Sequence, residues 1–361
     1  MQTRLDSLDI ARAFANLQVV FEHAVLWAGV VGLGSPALVT VEWHVVVVAA
    51  IFLMITGFVS ARAIQDPTIG FRRFVAKRVM PIAWVYLVWQ LSVFVYRAVA
   101  AAFLPVERPY DLVQELGRVA TFLVRPNGEL WYLWVILVAS VALRLLRNVR
   151  TGWLLAVAVP LSVVTLSFGS VVVPVAVWEA AGLGWQRLLS YAVFFVVGVR
   201  LVPAWAAALE RCRWPAVAVL GVVWQGALLA LPLVGVTAGA VLRFLAVSAG
   251  AAFWVALAQL LVRRGLGRRL ARFGRDVLPV YLLHMPVMVF TSVAASATGL
   301  VERAAGTAWG PLVLVVALVA LGVVVPTAVH RAVRMTRADI LFSAPSWWRA
   351  LPEARRVVRP T

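Results

Sequence analysis

Ten apolar runs of about 20 residues, each bounded by charge, glycine or proline, decide what this chain can fold into. A segment of that length crosses the roughly 30 Å hydrocarbon core of a bilayer only as a helix, because every backbone N–H and C=O must be satisfied within the segment itself. The runs fall near residues 9–30, 40–62, 79–104, 130–147 and 152–169, then near 187–208, 214–236, 240–262, 277–297 and 310–332. An all-α fold follows, a polytopic integral membrane protein of about ten transmembrane helices. Residues 1–334 form its membrane domain and residues 335–361 a basic cytoplasmic tail, with Trp347 and Trp348 expected to lie on lipid headgroups. Between the fifth and sixth runs, Val171 to Gly184 is apolar but broken by Pro174, which reads as a re-entrant or interfacial piece. Glu107 to Phe122 mixes charged and apolar residues at helical spacing and reads as an amphipathic helix on the outer surface.

Composition supports the same class. Of the 361 residues 63% are hydrophobic and 13% charged, far from a soluble domain. A formal net charge of +18 suits a nucleic-acid binder, but the placement of the charges argues for a membrane instead. Lys and Arg gather at Arg62–Arg78, Arg144–Arg150, Arg200–Arg213, Arg263–Arg275 and Arg331–Arg359, segments that share one side of the bilayer when the N-terminus is inside. Few are left for the other side, Arg187 and Arg243 among them. Cytoplasmic loops collect basic residues, so both termini are expected in the cytoplasm of a cell inner or plasma membrane protein, its loops against anionic lipids and no nucleic acid bound. The lone Cys212 excludes an internal disulfide, and no residue spacing suits a metal site. The first run is too long for a signal-peptide core and lacks a small-residue cleavage pattern, so it is expected to stay in the mature protein.

Within the first run, Arg12 and His23 stand eleven residues apart. At about 100° per residue they project within about 20° of one another, separated by about 16 Å along the helix. A cation and an imidazole in a membrane helix need a partner or a water-filled cavity, which marks a functional face turned to the bundle interior. The blander alternative is a snorkelling interfacial Arg and a packed core His. With the N-terminus inside, Arg12 lies at the cytosolic mouth, and Arg72, Arg73, Lys77 and Arg78 form a second basic cluster ending near Pro81. Together they suit a phosphate-bearing ligand, although the cluster also fits ordinary positive-inside charge.

His23 is the best general-base candidate, since imidazole can take a proton from a hydroxyl near neutral pH. Glu22 points about 100° away, and Glu42 and His44 are equally plausible supporting groups. Around the start of the fourth run, Glu129 stands beside Trp131, Tyr132 and Trp134. These residues read either as an interfacial aromatic belt or as a sugar platform, ring faces stacking on a pyranose while Glu129 accepts hydroxyl protons. His284 precedes Pro286 by two residues in the ninth run, where it is either a packing residue or a group touching substrate. A secondary transporter or flippase is a competing reading, disfavoured by the concentration of ionisable residues on the first helix and by the lack of matching broken helices in the two halves.

Five segments in order resemble the integral-membrane acyltransferase 3 family, which includes cell-surface glycan O-acetylases. Ser7 to Arg12 is similar to that family's SLDGLR opening, and Arg12 to His23 reproduces its Arg-x10-His spacing. Ile51 to Phe58 resembles its FFxISGF run, and Arg78 with Pro81 its basic stretch before the third helix. Leu130 to Trp134 and Leu278 to Pro286 resemble its LWFLW and SYxIYLLHxP segments. Ile10 replaces the family's Gly, Thr56 its Ser, and Asp276 to Leu278 its Ser-Tyr pair. The resemblance implies transfer of an acyl group, commonly acetyl, from cytosolic acyl-CoA to a hydroxyl of a glycan, glycolipid or glycosylated small molecule. It implies His23 as the catalytic histidine with Arg12 as its motif partner, and Arg73, Lys77 and Arg78 on the donor side. Glu129, Trp131, Tyr132 and His284 are then the expected acceptor contacts. Acyl-CoA is a substrate rather than a resident cofactor, and with no hydrolase-like domain appended, transfer is expected to finish within the membrane domain.

Overall fold

The computed structural model describes residues 2–105, 111–126, 128–172, 183–336 and 339–350, and every regular element among them is helical. Helix α1 (Gln2–Val30) leads through α2 (Pro36–Val45) to α3 (Val48–Gln65). A short α4 (Phe71–Phe74) passes through a π-helical turn, Val75–Val79, into α5 (Met80–Phe103), followed by α6 (Leu112–Thr121), α7 (Trp131–Leu145) and α8 (Thr151–Val172). The second half runs through α9 (Leu183–Arg200), α10 (Val202–Arg211), α11 (Trp214–Ala230), α12 (Val236–Arg263) and α13 (Arg268–Arg275). It ends with α14 (Val277–Ala297), α15 (Leu300–Ala305), α16 (Gly310–Met335) and α17 (Ser346–Ala350).

Seven helical segments are long and apolar enough to cross a membrane: Asp6–Val30, Pro36–Gln65, Phe71–Phe103, Trp214–Leu233, Val236–Arg263, Val277–Ala297 and Gly310–Met335. Two more apolar helices, Trp131–Leu145 and Thr151–Leu166, are shorter. The chain is an all-helical, multi-pass membrane protein. Most of the expected re-entrant piece at Val171 to Gly184 lies outside the described residues, as does the start of the amphipathic segment expected from Glu107.

The run expected as one helix over 187–208 is two, α9 and α10, bent by 82°. Pro203 explains the break, because it has no N–H to give to the carbonyl of Val199 four residues back. That carbonyl is taken instead by Gln65 Nε2 at 2.6 Å. A second break separates α2 from α3 at Val46 and Val47, where the Val47 N–H donates to Gln18 Oε1 of α1 at 3.0 Å. In each case a side-chain amide from a neighbouring helix meets a backbone group that a continuous helix would have used.

Three arginines from the basic clusters are structural. Arg144, 2% exposed, donates through Nη1 to the carbonyls of Ala63 (3.3 Å), Ile64 (2.9 Å) and Asp66 (2.9 Å), and through Nη2 to that of Ile69. Arg200 does the same for Leu146 and Arg147 at 2.7 and 2.9 Å, and Arg263 for Leu209, Glu210 and Cys212. The last carbonyls of a helix have no intrahelical donor, and a guanidinium supplies several from one residue while opposing the negative end of the helix dipole.

Helix α1 is central, packing against α2, α3, α12, α13, α14 and α16. Its N-terminal end is held by α13, where Gly274 lies against the Asp9 carbonyl so closely that no side chain fits, and by an Arg275–Asp6 ion pair at 3.6 Å. Helices α3 and α9 cross at Gly57 and Gly198, each seated on the other helix's backbone. In lipid, helix association rests on van der Waals contact and small residues that let backbones approach. In α6, the buried Glu115 pairs with Arg97 of α5 at 2.9 Å and with Arg118, while Leu112, Val113 and Leu116 are exposed.

Part of the segment expected on lipid headgroups packs against the helices. Residues 340–348 pack on α5: Trp84 and Trp89 donate their indole N–H to the carbonyls of Ile340 and Leu341, and Trp348 donates to that of Met80, each at 2.7 Å. Phe342 is buried between Trp89 and His330.

Candidate functional site

Helix α1 turns Arg12 and His23 toward the same group of helices, and both side chains stay partly accessible. Helix α14 brings His284 to meet the second of them. His284 Nε2 lies 3.0 Å from His23 Nδ1, with ring centroids 5.0 Å apart. His284 is fully buried, and its Nδ1 lies 3.0 Å from the Val280 carbonyl one turn earlier in α14. His23 Nδ1 is also 2.9 Å from the Val19 carbonyl.

These contacts fix the tautomers. A carbonyl only accepts, so His284 Nδ1 carries the proton given to Val280, and its Nε2 is the lone-pair nitrogen. His23 Nδ1 must then carry the hydrogen shared between Val19 and His284 Nε2, which leaves Nε2 of His23 as its basic nitrogen. The two imidazoles therefore form a directional pair, with the buried ring and the Val19 carbonyl together setting the protonation pattern of the more accessible one.

Aromatic contacts extend the site from His284 into α7. The Tyr281 ring, one turn before His284, lies 6.3 Å from it, and Tyr132 meets Tyr281 edge-on at 5.7 Å. The Tyr132 hydroxyl is 2.8 Å from Thr56 Oγ1 and donates more weakly to the Phe52 carbonyl at 3.4 Å. Arg12, which forms an ion pair with Asp9 at 2.9 Å, lies within electrostatic range of the Tyr132 hydroxyl. His23 meets the Tyr132–Tyr281–His284 cluster directly through His284, while Arg12 acts on its Tyr132 end only through electrostatics.

Trp131 projects to the other side of α7. Tyr191 of α9 stacks on it at 6.2 Å and 28°, and the Arg187 guanidinium lies 5.8 Å from its ring centre. The Glu129 side chain lies outside those described, although its backbone belongs to a 3-10 turn leading into α7. Arg72, Arg73, Lys77 and Arg78 are exposed around the π-helical turn that enters α5. His44 is not a support for His23: its Nδ1 is 2.7 Å from Gln225 Oε1, and Gln225 Nε2 donates to the His44 carbonyl at 2.9 Å. Glu22 instead lies within electrostatic range of Arg187. Among the described residues no three His, Cys, Asp or Glu side chains gather as a metal site would require.

Asn16 was not singled out from sequence. It sits within about 40° of the Arg12–His23 stripe and is fully buried, yet neither atom of its amide has a partner among the described residues. The available signal was an amide in the middle of an apolar helix. Tyr281 and Thr56 were visible as polar residues inside spans, but their connection to His284 and Tyr132 needs three helices placed relative to one another.

A family model described as an acyltransferase domain matches residues 5–331. No curated protein and no solved structure matches the chain.

Proposed function

The chain belongs to the acyltransferase 3 family and is a membrane acyltransferase, and from that premise we propose that it moves an acyl group, acetyl in the simplest case, from cytosolic acyl-CoA to a hydroxyl of a glycan, glycolipid or glycosylated small molecule. The observation that carries this reading is the His23–His284 pair, an imidazole whose protonated nitrogen is held by a second, buried imidazole. In the proposed step the acceptor oxygen attacks the thioester carbonyl while His23 Nε2 takes the hydroxyl proton. The tetrahedral intermediate then collapses, the C–S bond breaks, and the departing thiolate receives the proton from His23 to give CoA–SH and the ester. A thioester is already activated, so the protein mainly contributes position, a base and donors toward the developing oxyanion.

Donor binding draws on groups along the same helix and beside it. The exposed Arg73, Lys77 and Arg78 and the partly accessible Arg12 suit the phosphates of CoA. Asn16 is closed off between Arg12 and His23, and its unpartnered amide would pair with the amides of a pantetheine arm that parts the helices packed around it. In this reading the nucleotide lies in the cytoplasm, with both chain termini on that side of an inner or plasma membrane and anionic lipids around the basic loops. The test is release of free CoA from acetyl-CoA by the purified protein in nanodiscs, with and without a glycan acceptor. Release abolished in His23→Ala with the fold intact supports the reading, and release unchanged in that variant removes it.

A further inference from the structure

Next to Trp131, on the side away from the histidines, lies a cavity of about 230 Å³ between α2, α8, α9, α11 and α12. Its lining includes Arg187, Arg243, Trp43, Tyr191 and Trp224, and no acidic residue among those described. Tyr191 is shared with the stack on Trp131, so the cavity is joined through Trp131 and Tyr132 to the cluster that ends at His284. Arg243 lies over the Trp43 ring at 5.0 Å, while Nη1 donates to the Leu166 carbonyl at 3.2 Å. Trp224 is 4% exposed, and its indole N–H has no partner among the described residues. The indole nitrogen is packed against Gly250 of α12, so Trp224 gives the cavity wall its ring and not its donor.

We propose that this cavity is the acceptor subsite and that it takes a pyranose bearing a carboxylate or a phosphate. The inference rests on the acyltransferase reading and adds the charge class of the acceptor to it. Two guanidiniums line the cavity, and Glu22, which lies within range of Arg187, is not part of the lining; the surplus positive charge selects an anion, and flat Trp and Tyr faces select the apolar side of a sugar ring. The volume admits one sugar unit, and the Tyr191 and Trp131 rings stand between it and the Tyr132–Tyr281–His284 cluster, so an acceptor hydroxyl reaches His23 when those rings part.

The test uses the full chain in nanodiscs and equilibrium binding of three radiolabelled probes: glucuronic acid, glucose 1-phosphate and glucose. At least one anionic sugar is expected to bind about tenfold or more tightly than glucose, with the better anion identifying carboxylate or phosphate. Arg243→Gln and Arg187→Gln are expected to bring that ratio to within about twofold, and the Lys variants to restore part of it. Three sugars that bind alike, no detectable binding of either anion, or a preference that persists in both Gln variants overturns the proposal. CoA release from acetyl-CoA in the presence of each sugar, measured on wild type and His23→Ala, separates the two readings. Release that depends on His23 but shows no anion preference in binding removes the subsite and leaves the acyltransferase reading, whereas anion preference with release unchanged in His23→Ala overturns both, leaving a sugar-binding cavity that serves no acyl transfer.

Discussion

His284 Nε2 and His23 Nδ1 stand 3.0 Å apart across 261 residues of sequence, joining α14 to α1. The contact makes His284 a positioning residue for His23: it orients the ring and, together with the Val19 carbonyl, accepts from Nδ1–H, which keeps the basic nitrogen at Nε2.

Replacing each histidine separates the base from its support. His23→Ala is expected to lower kcat by about 10²–10⁴-fold, the range of a lost general base. His284→Ala is expected to cost less, and His284→Gln, whose amide oxygen can still accept from His23 Nδ1–H, to recover part of that loss. Rates measured across pH supply the second readout. The base must be neutral, so activity falls on acidification, and the acid limb should move in His284→Ala but not in a variant that only loosens packing. Equal rates and superimposable profiles for wild type and His284→Ala would contradict the assignment.

Asn16 tests the donor path. Asn16→Leu removes a buried amide with no partner among the described residues, so thermal stability is expected to hold or rise. The KM for acyl-CoA should increase several-fold, while the KM for the acceptor stays put. An unchanged donor KM, measured by CoA release at saturating acceptor, would place the pantetheine arm elsewhere.

The crossing of α3 and α9 predicts a contrast among glycines. A Cβ on Gly198 would press into the Met54 carbonyl and one on Gly57 into the Phe195 carbonyl, and backbone cannot turn aside as a side chain can. Gly198→Ala and Gly57→Ala should each destabilise by about 1–3 kcal/mol or more. Gly226, also helical but with nothing within 4 Å of its would-be Cβ, should accept Ala with stability unchanged or slightly raised. Thermal unfolding in detergent reads all three, and similar losses at the three positions would refute the close crossing.

Arg144 is expected to behave as a cap rather than as a topology signal. Arg144→Met leaves carbonyls of Ala63, Ile64, Asp66 and Ile69 without their donor and should cost about 2–4 kcal/mol. Arg147→Met, at a half-buried neighbour in the same basic cluster, is expected to cost far less. If the two substitutions shift the unfolding midpoint equally, the capping role fails.

The C-terminal segment should be part of the membrane domain's stability. Trp348→Phe keeps an aromatic ring beside Trp84 but removes the N–H that reaches the Met80 carbonyl, a loss of about 1 kcal/mol. Deletion of residues 339–361 removes the acceptors of Trp84 and Trp89 as well and should lower the unfolding midpoint further. A tail that only touched headgroups would leave the detergent-solubilised midpoint unchanged.

Local rules were enough to make much of this protein legible in its sequence. A run of about 20 apolar residues has one way to satisfy its backbone in lipid, so the helical membrane class needed no contacts to be known. Helical periodicity likewise put Arg12 and His23 on one face, because eleven residues close three turns whatever surrounds them. Even so, Pro203 could be read but its 82° consequence could not, since a proline in a span either kinks or breaks the helix depending on who takes the freed carbonyl, here Gln65. Arg144, Arg200 and Arg263 looked like loop charge because a guanidinium's partners are carbonyls of other helices. The meeting of His23 with His284, and of Trp131 with Tyr191 and Arg187, was likewise decided only by tertiary structure. Hydropathy fixes which segments share the bilayer, but which faces touch depends on small residues such as Gly57, Gly198 and Gly274 that let particular backbones approach, and that selection is made in three dimensions.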